Sequence, residues 1–405
     1  MSAGMRLIFK DEHFSFELIR AMGYAVYNGA DVGECITTAT RIRDGDMEGW
    51  YREWNLTANR VAAIGQRCQE SGRDVSARET WLRASNYYRA AEFFVVALNP
   101  DDPRAKEAAQ RSRQAFAAAA ALFDPPFERI SIPYEGTTLS GYMYLVDRSR
   151  KPRPTLMVIG GFDSTLEELY FFGPAAALRR GYNAIAFDGP GQGDAIREKK
   201  LAFRPDYEKP VSAAVEYALS RPEVDRDRLA LKGVSFGGYL GARAAAFEHR
   251  LAAVILDPGF WSFADLVRDK MPEFVWSQHE KGRRRFVDST ASFIARRSPM
   301  KKWALANGLW TFGAKSPNDW FSKLHAYTLE GVAEKIRCPT LVLDGDADQF
   351  QGRDQADRVF AAVTAPKQRI VFTAEEGGSA HCQIGALSLQ HQRVFDWLGE
   401  VLKAP

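Results

Sequence analysis

The fold is decided by Leu229-Ala230-Leu231-Lys232-Gly233-Val234-Ser235-Phe236-Gly237-Gly238-Tyr239. The run from Leu229 to Val234 reads as a short buried strand, and Tyr239 to Phe247 reads as a helix. Between them stands G-x-S-x-G. A strand that turns straight into a helix at a serine leaves no room for neighbouring side chains, which explains Gly233 and Gly237. The same turn lifts the serine hydroxyl above the sheet. It also aims the amide N–H of Phe236 at the charge that develops on a carbonyl oxygen under attack. Ser235 is therefore the candidate nucleophile, and the strand and helix around the motif carry that reading.

Outward from this point, strands and helices alternate. Upstream, Ile130, Ile132 and Tyr134 alternate with polar residues, and Leu139, Met143 and Leu145 share a face across a turn at Gly136, which makes a hairpin. Strands follow at Thr155–Ile159 and Tyr182–Phe187, with helices over Leu166–Arg180 and Val211–Leu219. Downstream come strands at Leu251–Leu256, Thr340–Leu343 and Arg369–Phe372, helices near Asp354–Val363 and up to Leu402, and an interruption over about residues 259–335. A hairpin followed by repeated strand–helix units predicts an α/β domain over residues 126–405, doubly wound and mostly parallel. The interruption is rich in aromatic residues, among them Trp261, Trp276, Trp303, Trp310 and Trp320. It reads as a helical cap over the crevice at the strand ends.

Residues 1–125 read as a separate all-helical domain. Trp50, Trp54, Val61, Ile64 and Cys68 recur at helical spacing, as do Trp81, Ala84, Tyr88, Ala91 and Val95. Ser71-Gly72-Arg73-Asp74 separates the two stripes. Asp102-Pro103 caps a third helix reaching Phe123, and Asp124-Pro125-Pro126 closes the domain. These apolar faces exceed what one hairpin seam needs, which predicts a homodimer using this region unless the α/β domain covers them. The aromatics of the cap and of Tyr87–Phe94 either roof an apolar chamber or simply pack the domains together.

A serine hydroxyl needs a base. Of six histidines, only His381 lies in a loop between the last strand and last helix, in Gly377-Gly378-Ser379-Ala380-His381-Cys382. His325, in the cap, is the runner-up. An acid should lie between Ser and His in chain order. Leu343-Asp344-Gly345-Asp346-Ala347-Asp348 offers three, with Asp348 first, Asp346 as alternative, and Asp344 as a loop fixer. A second oxyanion donor is expected from Gly160-Gly161-Phe162-Asp163-Ser164, namely the Phe162 amide, with Gly161 as fallback; Asp163-Ser164 could equally be a helix cap. Asp188-Gly189-Pro190-Gly191-Gln192-Gly193 lacks the GK[ST] ending of a phosphate loop and reads as a turn. The charges of Arg197-Glu198-Lys199-Lys200 read as solvated.

A net charge of +3 over 405 residues gives no electrostatic reason to expect nucleic acid or an anionic membrane. Arg283-Arg284-Arg285, the densest basic run, reads as a solvated helix face. Cys35, Cys68, Cys338 and Cys382 are scattered and suggest neither a zinc site nor a disulfide framework, so a reduced, cytoplasmic compartment is expected, with no metal and no organic cofactor. The stretch MSAGMRLIFKDEHF lacks the apolar core of a signal peptide. The run Ala115–Phe123 is too short to span a bilayer.

Together these motifs resemble the α/β-hydrolase superfamily. The helical N-terminal region, G-G-x-[DE]-S at Gly160–Ser164, G-x-S-x-G-G at Gly233–Gly238 and the late A-H-C around His381 resemble more narrowly the 2,6-dihydroxypseudooxynicotine hydrolase group. Its fungal relatives shorten polyketide chains, and it includes the FrsA-like esterases. The resemblance implies hydrolysis of a C–C bond next to a ketone, or of an ester, in a bulky aromatic or polyketide-like small molecule. Nicotine-pathway members add a cap carboxylate, for which Asp257, Asp265 and Glu273 are the nearby candidates. The competing readings are a plain carboxylesterase or peptidase, an acyl transferase or cyclase, and a non-catalytic binding protein on a hydrolase fold.

Overall fold

The computed structural model describes residues 7–352 and 354–404. The first six residues of the N-terminal stretch read above as leaderless lie outside them. Five helices come first: α1 (Glu12–Gly23), α2 (Val32–Ala39), α3 (Met47–Glu70), α4 (Asp74–Leu98) and α5 (Pro103–Ala121). Their starts follow local chemistry. The Asp11 carboxylate accepts from the amides of His13 and Phe14 at the head of α1, and Asp102 with Pro103 opens α5. Trp50 and Trp54 are fully buried, and Trp50 Nε1 donates to the Ala90 carbonyl of α4 at 2.7 Å. The stripes from which a dimer seam was expected are thus spent inside the protomer.

The sheet follows: β1 (Glu128–Tyr134), β2 (Thr137–Tyr144), β3 (Arg153–Ile159), then α6 (Leu166–Phe172), α7 (Pro174–Leu178), β4 (Asn183–Phe187), α8 (Gly193–Arg197), α9 (Glu208–Leu219) and β5 (Val224–Val234). After β5 come α10 (Gly237–Ala245), β6 (Ala253–Asp257), five cap helices, β7 (Thr340–Gly345), α16 (Gln355–Ala362), β8 (Lys367–Phe372) and α17 (Leu387–Leu402). The cap helices are α11 (Phe263–Lys270), α12 (Glu273–Glu280), α13 (Arg284–Ala295), α14 (Pro299–Thr311) and α15 (Pro317–Leu324). The single helix expected over Leu166–Arg180 is two. Pro174 has no N–H to continue the ladder, and a Cβ on Gly173 would stand 2.7 Å from Val158 on β3.

The eight strands run in the order β1-β2-β4-β3-β5-β6-β7-β8, with β2 antiparallel to both of its neighbours, β1 and β4, and every other pairing parallel. Both faces are covered. On β3, Met157 and Ile159 enter the core under α9, α10 and the cap, while Leu156 and Val158 enter the core under α6, α7 and α17. Strand order reverses between β3 and β5, so their carboxyl ends frame the crevice where a doubly wound sheet binds ligands. Both candidate loops, Gly160–Ser164 and Ser235–Gly238, leave from there.

The cap and the N-terminal helices meet across this crevice. Trp303 of α14 stacks on Phe93 of α4, ring centroids 4.7 Å apart, and its Nε1 donates to the Phe93 carbonyl. Arg283–Arg285 are exposed at the start of α13, as expected. Arg197 is not solvated: it pairs with buried Glu92 of α4 at 2.9 Å and ties the turn after β4 to the helical region. No helix among the described residues is long and apolar enough to cross a membrane.

Candidate active site

Ser235 has φ 61°, a left-handed conformation that a residue with a Cβ adopts only when its surroundings impose it. What imposes it is packing. The Ser235 amide donates to the Asp257 carbonyl at the end of β6, 2.6 Å away, and a Cβ on Gly233 would collide with the Gly237 carbonyl. The loop after β8 brings His381 over this elbow. His381 Nε2 lies 2.8 Å from Ser235 Oγ, and Nδ1 lies 2.7 Å from Asp348 Oδ2. Asp348 is fixed in turn by the amides of Phe350 and Gln351, 2.8 and 3.0 Å from Oδ1. Burial by itself would raise its pKa, but His381 and those amides outweigh it and hold the carboxyl below its usual range.

The other two acids of the same segment go elsewhere. Asp344 pairs with Arg369 at 2.7 Å, and Asp346 accepts from the Ala374 amide. His325 is not brought to the site: its ring stacks on His279 in the cap. Of the cap-carboxylate candidates, none lines the crevice. Asp257 lies behind the elbow beside buried Lys232 at 3.3 Å, Asp265 pairs with Arg358 at 2.7 Å, and Glu273 is exposed.

The loop after β3 passes directly over the elbow. A Cβ on Gly161 would stand 2.7 Å from Ser235 Cβ and 2.8 Å from the Phe236 nitrogen, so only glycine allows this approach. The Gly161 amide donates to Ser164 Oγ at 2.9 Å, which removes the fallback oxyanion donor. Among the described residues, no group accepts from the amides of Phe162 or Phe236. Asp163 and Ser164 are not a helix cap, since α6 starts after Thr165. Asp163 instead accepts from Arg20 of α1 at 2.7 Å, and Arg89 of α4 lies 3.5 Å away. Arg20 also forks onto both oxygens of Glu168 at 2.7 Å, Tyr24 donates to Glu168, and Arg89 reaches Glu17 at 2.9 Å. Burial would raise Asp163, but the two guanidiniums outweigh it and hold it ionised.

This cluster was not foreseen. The local signal available was His13, Glu17 and Arg20 at i, i+4, i+7 on one face of α1. Arg89 lies 72 residues from Glu17, and Asp163 and Glu168 lie 143 and 148 residues from Arg20, and periodicity says nothing of them.

Around Ser235 lies a chamber of about 470 Å³, within the size range of small-molecule sites. Its walls come from α1 (His13, Phe16), α4 (Phe93), the loops (Phe162, Phe350) and the cap (Phe263, Leu266, Trp303, Trp320). Aromatic residues thus both line the chamber and pack its walls together.

The profile of the family described as Esterase FrsA-like matches residues 32–264, and that of the Alpha/beta hydrolase family matches residues 159–397. Hydrolase LUC6 of Fusarium sp is 37% identical, over 98% of each chain. The 20-hydroxy-prefusarin hydrolase FUS2 of Gibberella moniliformis is 36% identical, over 97% of each chain. The crystal structure of 2,6-dihydroxy-pseudo-oxynicotine hydrolase superposes with a TM-score of 0.75 at 24% identity, covering 94% of this chain and 95% of that one.

Proposed function

We propose, from the premise that this chain belongs to the FrsA-like esterase family of α/β-hydrolases, that it is a serine hydrolase with Ser235, His381 and Asp348 as its triad. The observation that carries this is the continuous path from Ser235 Oγ to His381 to Asp348, with bonds of 2.8 and 2.7 Å. In this reading residues 126–405 are the catalytic domain, with its cap at 259–335, and residues 1–125 are a helical domain closing the chamber.

The chemistry follows from the geometry. His381 Nε2 takes the Ser235 proton as Oγ bonds to a substrate carbonyl carbon. The amides of Phe162 and Phe236 hold the oxygen that becomes negative. Asp348 keeps Nδ1 protonated and stabilises the imidazolium. Collapse of the tetrahedral adduct breaks the bond to an enolate or alkoxide, which His381 protonates. Water, deprotonated by His381, then releases the acyl group as an acid and restores Ser235. An apolar chamber suits a bulky aromatic or polyketide-like ketone or ester, and the relative named for 20-hydroxy-prefusarin supports that class. The free, scattered cysteines support a reducing, cytoplasmic setting.

Benzoylacetone and phenyl acetate, assayed side by side, test the reading. The diketone is expected to give the higher kcat/KM, by about tenfold or more on the scale of pocket discrimination, and a fluorophosphonate probe is expected to label Ser235. Ester turnover without diketone turnover would remove the C–C half of the proposal; absence of labelling would remove the nucleophile. A homodimer is also part of the proposal. With the tryptophans buried, its seam would rest on exposed Val32, Leu56 and Val75 of the helical region. Light scattering that returned a mass near 45.3 kDa would defeat it.

A further inference from the structure

His13 stands in the first turn of α1 and lines the chamber, yet none of the described residues satisfies it. It is 3% exposed, and neither ring nitrogen has a hydrogen-bond partner among the described residues. Its neighbours are the rings of Phe93, Phe94, Trp303 and Phe350, with centroids 5.1 to 6.0 Å away. A phenylalanine would fill this place without leaving two buried polar atoms bare, so packing alone does not account for an imidazole. Burial drives its pKa down to about 3, so at working pH it is neutral and offers one N–H and one acceptor nitrogen.

Its position is specific. The Phe350 ring lies 6.0 Å from His13 and 5.4 Å from His381, so a single aromatic ring separates the two imidazoles. The other polar side chains that α1 turns toward the chamber, Glu17 and Arg20, are already spent on ion pairs. We propose that His13 is a specificity-determining residue: its imidazole hydrogen-bonds a hydroxyl or carbonyl oxygen at the end of the substrate remote from the carbonyl that Ser235 attacks. The ligand class is an acyl compound with a second oxygen function about one ring beyond the reacting carbonyl. This rests on the reading of Ser235 and His381 as the reacting pair.

The test uses binding, so that it does not depend on turnover. The full-length Ser235→Ala protein is titrated calorimetrically with benzoylacetone and with its meta- and para-hydroxy derivatives. One hydroxylated ligand is expected to bind about tenfold more tightly than benzoylacetone. Adding His13→Phe is expected to bring the ratio to within about twofold, while His13→Gln, which keeps a donor and an acceptor, retains most of it. The proposal is overturned if no hydroxylated ligand is preferred, if none of the ligands binds, if the preference survives His13→Phe, or if that variant weakens all ligands equally. Wild-type turnover of the same compounds is read separately. Preserved preference without turnover would strike the hydrolase reading, and with it the reacting carbonyl, and would leave His13 only as the group that binds the ligand's hydroxyl.

Discussion

Ser235→Ala is expected to lower kcat by three orders of magnitude or more, and His381→Ala by a similar factor, measured as single-turnover rates on whichever ketone or ester the wild type cleaves. The double variant should be little worse than either single one, because nucleophile and base act as a unit and neither contributes once the other is gone. Residual activity is expected above that of water, since the Phe162 and Phe236 amides and the chamber remain. Asp348→Asn should fall into the same range. It keeps the shape but offers His381 Nδ1 an amide where a carboxylate now accepts at 2.7 Å, so the imidazole loses both its tautomer and the charge that steadies its cationic form. Asp346→Asn should leave the rate within about twofold, because its contact is a backbone amide at the rim. Wild-type rates in Ser235→Ala, or a reversed order of the two aspartates, would break the assignment.

Arg20→Met carries the second large effect, on stability and rate together. Arg20 is nearly inaccessible and holds two buried carboxylates, Asp163 and Glu168, each at 2.7 Å. Removing the cation takes away the 2.7 Å partner of both and leaves Arg89, 3.5 Å from Asp163 and 3.4 Å from Glu168, as the guanidinium still facing them; the loss is set at about 3 kcal/mol, the lower end of the range for a broken buried pair. The melting point should drop by roughly 4 °C for a chain of this size. Because Asp163 follows Phe162 directly, kcat should fall further than KM rises. Arg20→Lys should rescue little: an ammonium lacks the planar fork that grips both oxygens of Glu168. A melting point and kcat unchanged in Arg20→Met would show that the cluster supports neither.

The contrast between these two predictions marks what can be read from the chain alone. The elbow is local: Gly233, Ser235 and Gly237 lie within a few residues, and steric demand dictates their identity. His381 and Asp348 are remote, but the order of strands fixes which loops can meet above β5, so the sequence narrows the candidates to one histidine loop and to one segment with three aspartates. The ion cluster has neither advantage. Arg20 and Glu168 are 148 residues apart, belong to different layers, and look like ordinary charges of amphipathic helices. The same blindness made Asp163 look like a helix cap and Arg197 like a solvated charge. Gly173-Pro174 is by contrast a local signal: proline cannot continue the hydrogen-bond ladder, and the helix expected over Leu166–Arg180 divides there.

The buried cluster has one more consequence, for the moment of synthesis. The ribosome delivers the helices of residues 12–121 first, with Arg20 and Arg89 on faces that end up without water and with Glu17 as the carboxylate of those helices that pairs with both. The carboxylates that complete the set, Asp163 and Glu168, arrive 143 and 148 residues after Arg20. At typical elongation rates that is a wait of about 7 to 30 s. Until then the nascent helices have reason to stay loosely associated and hydrated on that side, and the loop beside Ser235 is what closes them.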